Sequence, residues 1–330
     1  MGIAKTLKGL FGGSKTTDEN AAVESRPITS IAAEATAQNN CMPETESKKE
    51  ETALPKAEQS VAAESNDSIA TTMLINKSVL LKNGEVDIDG VVRGRLSVGD
   101  KVWIIAPGLC VGAIIAAMEN RGNISVKHIE NGPAHITLKS DEIKGRVDHA
   151  VLTNIVPPSD ANPPKSLENP FLTGLMWELP ELANSQEYTN LLFFAVAHSS
   201  FLIPVTFSKA PVADENGKMS LPPDTQINFQ LLSSEQGPAV GVYTDERALA
   251  LAPKQSVEEG KTPNTWMMPF QDAIALNEQV KGLGIVVNAF GPQPALNLTN
   301  NHIQGIVGSE GYKHEFGDGK YQSPLQKSEE

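Results

Sequence analysis

The sequence predicts a multidomain α+β protein, in which a disordered N-terminal linker leads into a small antiparallel β-barrel and then a mixed α+β domain. Three observations predict it. Residues 13–70 contain no Phe, Trp or Tyr and are dominated by Ala, Glu, Ser, Thr, Asn and Lys, a composition that cannot bury enough apolar area to offset chain entropy. Residues 71–157 break into short β-rich runs punctuated by glycine, with no helical pattern between them. From Ser166 the text alternates amphipathic helical stretches with strand-length apolar runs.

The chain carries a net charge of −13, and between Ser14 and Ala70 acidic residues outnumber basic ones by 11 to 5. That excess belongs to a solvated linker, residues 14–70. An acidic chain repels phosphate backbones, so a protein partner is expected ahead of ribosome or RNA. The two cysteines, Cys41 and Cys110, form no CxxC pair, so neither a disulfide framework nor a zinc site is expected. The longest apolar run, LLFFAVA at 191–197, is far short of a membrane span. With no secretory signal at the start, the expectation is a soluble, cytoplasmic protein.

In MGIAKTLKGLFGG, residues 1–13, the apolar residues Ile3, Leu7, Leu10 and Phe11 fall on one helical face and Lys5 and Lys8 lie off it. A helix this short needs its apolar face covered. The cover is either the chain's own domains, a partner groove or a membrane surface, the last placing the protein at the inner face of the membrane. The start also matches the M-G-x-x-x-[ST] myristoylation pattern.

Residues 71–157 read as TTMLINKSVLL, GEVDIDGVVRGRLSV, KVWIIA, VGAIIAAMEN, ISVKHIE, AHITLK and DEIKGRVDHAVL. Val86, Ile88, Gly90 and Val92 alternate with Asp87, Asp89, Val91 and Arg93, which puts the two sets on opposite faces of a strand. The run GEVDIDGVVRGRLSVGDKVWI, followed by ENGPAHITLK and DEIKGRV, resembles domain 2 of elongation factor Tu and related translation GTPases across the whole segment. The resemblance implies a barrel in which Gly90 and Gly94 permit a tight strand crossing and a Val98-Gly99-Asp100 turn returns the chain. It also implies a binding module. A β-solenoid like the bactofilins is the competing reading, but its repeat stops at Gly112. No GTP binding is expected, because the one Gly-Lys-Thr, Gly260-Lys261-Thr262, has Gln255 where a P-loop needs glycine and Pro263 where a helix should open.

In residues 166–308, Asn169 and Pro170 open a helix with Leu172, Leu175 and Met176 on one face. A second helix turns Tyr188, Leu191, Leu192 and Ala195 inward. FLIPVTF, QINFQLLSS and AVGVYT read as strands, Thr244 as the cap of a short helix, TWMMP as a strand, 271–280 as a helix, GIVVN as a strand, and a last helix follows Thr299. ENPFL, VYTDERAL and GLGIVVNAFGPQPALNLTNNHI, with its Asn288 and Gly291 turn, resemble the N-terminal domain of the SseB family. That resemblance implies a protein-interaction or regulatory role. Residues 309–330 read as a polar tail in place of the second domain that family members often carry.

No constellation suggests catalysis. His198-Ser199-Ser200 lacks a nucleophile elbow and reads as a helix end. The histidines at 128, 135, 149, 198, 302 and 314 show no metal-ligand spacing, so neither metal nor cofactor is expected. Trp103, Trp177 and Trp266 sit in apolar runs and read as core. Asp245, Glu246 and Arg247, beside the Asn288 turn, are read either as a charged first helical turn or as a recognition patch. The function expected is that of a non-enzymatic adapter with two binding modules tethered through residues 1–13. The alternatives are ribosome or RNA binding through the barrel, and an enzyme with an unrecognised site in the SseB-like domain.

Overall fold

The computed structural model describes residues 70–157 and 166–317, apart from 211, 214–218, 221, 223–224, 235 and 254–261. The proposed N-terminal helix and nearly all of the linker lie outside the described residues.

Strands β1 (Thr72–Leu80), β2 (Glu85–Ser97), β3 (Lys101–Ala106), β4 (Leu109–Asn120), β5 (His128–Lys139) and β6 (Val151–Thr153) close into an antiparallel barrel in the order β1-β2-β5-β4-β3-β6. Closure excludes the solenoid reading and removes free edges. Val86, Ile88, Gly90 and Val92 point into the barrel as their alternation requires, onto Met73, Ile75, Ile104, Ile115, Ile136 and Leu138. Gly90 is there because a Cβ would lie 2.4 Å from the Leu74 carbonyl oxygen. At the β2–β3 turn Gly99 adopts φ +93°, and the Asp100 carboxylate accepts the Ser97 amide hydrogen at 2.8 Å.

The second half is the expected α+β domain. Its helices are α1 (Pro170–Trp177), α2 (Leu179–Leu182), α3 (Gln186–Ala197), α4 (Glu246–Ala250), α5 (Phe270–Gln279), α6 (Asn300–Val307) and α7 (Glu310–Phe316). Strands β7 (Ser200–Phe207), β8 (Val212–Ala213), β9 (Met219–Ser220), β10 (Ile227–Phe229), β11 (Leu231–Ser234), β12 (Gly237–Val242), β13 (Thr262–Pro269), β14 (Gly284–Val287) and β15 (Leu296–Thr299) complete it. They form the sheets β10-β7-β13 and β11-β12-β14-β15 and a short β8-β9 ladder. Within the second sheet β12 and β14 run parallel.

Several expectations need correction. QINFQLLSS is two strands in different sheets, because the chain turns a corner at Gln230, whose amide still reaches the Pro204 carbonyl of β7 at 3.0 Å. The segment read as a polar tail begins with α7, whose Tyr312 and Phe316 pack on the domain core. The strand read at TWMMP is longer than expected, β13 beginning three residues earlier with Thr262 and Pro263. None of the three tryptophans is fully buried. Trp103 stands on the outer face of β3 beneath the Lys101 ammonium, Trp177 lies at the junction of the two domains, and Trp266 meets Phe207 edge-on at the margin of the core.

Among the described residues β13 has one neighbour, β7. The Phe270 amide donates back to Ser199, so the even-numbered residues of β13 bond inward and 263, 265, 267 and 269 face the open edge. Two of these are prolines, which have no N–H, and the Thr265 amide is taken by the Asn264 side chain at 2.8 Å.

The two domains share packing. Leu74 of β1 and Val151 of β6 face out of the barrel and join the core of the α+β domain with Leu172, Leu175 and Met176 of α1. Gly174 makes this approach feasible, since a Cβ there would lie 2.6 Å from a Val151 methyl. Arg93, on the outward face of β2, donates to the Glu178 carboxylate at 3.0 and 3.3 Å and stacks over Trp177. His149 Nδ1 lies 3.0 Å from Glu187 at a second point on the junction.

Candidate functional site

Parallel strands bring their carboxyl ends to one side, where the loops that leave them form a natural place for a site. Here that side carries the residues after β12, Tyr243 to Asp245, and those after β14, Asn288 to Ala295. Asn288 adopts φ +51°, a conformation that asparagine tolerates better than most residues. Its Oδ1 accepts the Thr244 amide hydrogen at 3.0 Å, and its Nδ2 donates to Thr244 Oγ1 and Gln293 Oε1 at 2.8 Å each. Gln293 in turn donates to the Thr173 carbonyl of α1 at 2.9 Å. Thr244 and Asn288 are buried, so these bonds are made where water cannot substitute.

Asp245, not Thr244, caps α4: its Oδ1 accepts the Ala248 amide hydrogen at 3.0 Å, while Thr244 Oγ1 donates to Asp245 Oδ2 at 2.8 Å. The expectation was off by one because threonine and aspartate are both good caps, and the Asn288 network had already engaged Thr244. Asn169 occupies the cap position of α1 as expected, yet its amide donates to the Ser200 and Thr244 carbonyls at 2.8 and 2.7 Å instead of capping. It ties the start of α1 to the same loop. Arg247 reaches the Glu168 carboxylate and, at 3.4 Å, Asp245 Oδ1. Burial raises the Glu168 carboxyl above its ordinary value against the opposing pull of Arg247.

The structure thus brings Asp245, Glu246, Arg247 and Asn288 together. It also divides them, because Asp245 and Asn288 are buried structural partners while Glu246 is exposed and Arg247 half-exposed. Glu168 and Gln293 were missed by sequence reasoning, and Asn169 was read only as a helix cap. No short-range signal links positions up to 120 residues apart, and only the parallel β12–β14 pairing places them side by side.

Gly90, Gly94, Gly99 and Asp100 occupy the strand crossing and turn assigned to them. Gly94 takes φ +107°, with the Thr71 side chain where a Cβ would be. On the outer face of the barrel, His135 of β5 sits between carboxylates, with Nδ1 2.9 Å from Asp89 Oδ1 and Nε2 3.6 Å from Asp87 Oδ2. Its pKa is raised from 6.5, chiefly by the Asp89 hydrogen bond, with burial opposing and Asp89, Asp87 and Glu119 adding charge attraction. A raised folded-state value means the stabilisation is complete below about 6.5 and is lost as pH rises through the folded-state value. A His135→Asn chain should therefore melt below the parent at pH 5.5 and approach it at pH 8, in thermal melts at matched salt; a gap independent of pH would refute the linkage.

His198 ends α3, with Nδ1 2.8 Å from the Phe194 carbonyl, its ring stacked on Phe194 and Nε2 on Glu315 of α7. Among the described residues no group of three or more His, Cys, Asp or Glu is placed to hold a metal ion. Cys110 is exposed and unpaired in a disulfide, its thiol pushed up by burial and by the Glu142 charge. No helix among the described residues is long and apolar enough to cross a membrane. Ile3, Leu7, Leu10, Phe11, Lys5 and Lys8 lie outside the described residues.

Comparison with the curated proteins gives no significant match. Among solved structures, the chain is similar to the crystal structure of translation elongation factor SelB from Methanococcus maripaludis in its apo form, at 9% identity and a TM-score of 0.25, over 61% of this chain. It spans 36% of that factor's length. The family model described as the SseB protein N-terminal domain matches residues 178–304. That match takes in α2 through most of α6, including both sheets and the Asn288 loop platform, and leaves out the barrel and α1. Behind its six-stranded barrel, this chain carries an SseB protein N-terminal domain.

Proposed function

We propose that the protein is a non-enzymatic adapter whose SseB domain recognises a protein partner at the strand-end platform, through Glu246, Arg247 and the loop after Asn288. One observation carries the reading. The polar side chains of the platform, buried Thr244, Asp245 and Asn288 and half-buried Gln293, are engaged with one another and with backbone, holding two loops and a helix start in fixed relation. A platform stiffened in this way loses little conformational entropy on binding. Its exposed charges set orientation and specificity more than they add affinity. The barrel, packed on α1, travels with the platform, and residues 1–13 supply the tether to a membrane or partner surface.

The test is crosslinking in cells of the full chain, of a Glu246→Lys/Arg247→Glu chain, and of a chain lacking residues 1–13, with partners identified in membrane and soluble fractions. Arg247 is half-exposed but its partners Glu168 and Asp245 are largely buried, so circular dichroism and thermal melts first establish that the swapped chain is folded. It should lose the principal crosslinked partner, and removal of 1–13 should shift the chain to the soluble fraction. An unchanged partner set in the swapped chain would reject the platform as the recognition face.

A further inference from the structure

The end of the barrel formed by the β2–β3 turn and the β4–β5 connection departs from the character of the rest of the molecule. The two segments meet where the Val98 amide donates to the Lys127 carbonyl at 2.9 Å; the Gly99 amide also holds the turn to Ile115 of β4 at 2.8 Å, and the β4–β5 connection is closed on itself by the Asn120 amide donating to Ile124 at 3.1 Å. Three β-branched apolar residues stand out at or near these tips, Val98 at 43% exposure, Ile114 at 50% and Ile124 at 62%. Ile124 is three residues from Lys127, which touches Val98, so the two tips are about 10 Å apart at strand spacing.

Lys101, Arg121 and Lys127 surround these side chains and are all exposed. Among the described residues none of the three is in an ion pair, although Lys101 also lies over the Trp103 ring. Three carboxylates lie at this end and are set against donors or cations: Asp100 accepts from Ser97 within its own turn, half-buried Glu119 faces His135 across β4–β5, and exposed Glu130 stands opposite Arg95 of β2. A chain of net charge −13 therefore has one end that is locally cationic and carries exposed apolar tips.

From this juxtaposition we infer that the Val98–Ile124 end of the barrel is a contact surface for an anionic lipid bilayer. Cations near such a surface are attracted to its headgroups, and Val98 and Ile124 are placed to enter the headgroup layer. An acidic polypeptide would engage the cations but leave the apolar tips without a role. The negative charge elsewhere on the chain is repelled by the same bilayer, which turns this end toward it. The inference rests on the tethered-adapter reading only in taking residues 1–13 as a first attachment; the barrel end supplies a second, and two weak attachments together give stable membrane residence.

The test is co-sedimentation of the full chain with vesicles of phosphatidylcholine containing about a third phosphatidylglycerol, and with phosphatidylcholine alone. Arg121→Gln/Lys127→Gln should lower partitioning to the anionic vesicles about 25-fold, at about 1 kcal/mol per cation. Val98→Ser/Ile124→Ser should lower it as well, with circular dichroism unchanged. In Ile124→Trp the fluorescence of the added indole should shift to the blue on anionic vesicles only. The same variants in a chain starting at residue 14 separate the two attachments. Loss of binding on removing 1–13 together with no effect of any loop variant would overturn the barrel surface and leave the tether standing. Loop-dependent binding that survives the removal would leave the surface standing and remove the tether. Binding to immobilised polyglutamate that ignores Val98→Ser/Ile124→Ser would assign the end to an acidic polypeptide and overturn the lipid assignment.

Discussion

Gly90→Ala should unfold the barrel or destabilise it by about 3 kcal/mol or more. The added Cβ would lie 2.4 Å from the Leu74 carbonyl oxygen and 2.7 Å from Met73 Cγ. The methionine could swing aside, but the carbonyl belongs to the backbone of β1, which pairs with β2 at this point through Ile75 and Gly90. Relief requires the two strands to part, and a closed barrel transmits that parting to every other strand. Hydrogen exchange by mass spectrometry on the full chain would check it: amides of residues 72–97 should lose protection first, with α5 and β14 holding longer. Equal and unchanged protection in both regions would show that the crossing has room that the structure does not give it.

Asn288→Ala should cost about 3 kcal/mol in the SseB domain, combining an unsatisfied buried amide at Thr244 with an alanine forced into the left-handed region. The substitution removes one acceptor and two donor interactions at a residue 1% exposed. Asn288→Gly removes the same bonds without the backbone penalty, so the difference between the two variants in urea titrations separates strain from hydrogen bonding. If Asn288→Ala is within about 0.5 kcal/mol of the parent, as for an ordinary surface substitution, the buried network does not hold the platform.

Much of the barrel was legible because its information is local. Alternation along β2 assigns the inner face directly, and Gly99-Asp100 marks a turn whose geometry comes from the residues themselves. The α+β domain was legible as a sequence of elements but not as sheets: nothing in QINFQLLSS marks the corner at Gln230, since both halves have the same strand propensity and only their partners, β7 and β12, differ. The platform was half legible. Asp245 and Asn288 were singled out because charged and asparagine-bearing loops suggest recognition, yet both turned inward, Asp245 to cap its own helix and take the Thr244 hydroxyl, and Asn288 to hold Thr244 from a segment distant in sequence. The junction between the domains left no trace beyond Gly174, which stands unremarked between Leu172 and Leu175 in the helix. Its reason is a valine in another domain.

The open edge of β13 bears on how the protein survives its own synthesis. A strand with Trp266, Met267 and Met268 and no charged residue is the kind of segment that recruits a like strand from a neighbouring chain while folding is incomplete. Along the edge-facing positions, however, Pro263 and Pro269 offer no hydrogen and Thr265 has already given its own to Asn264. A docking strand would find a single backbone donor, at Met267, where a ladder needs several. Crowded on a polysome, nascent copies can meet along this edge without zipping together, and the fold keeps an uncharged strand at its margin without a guard of lysines.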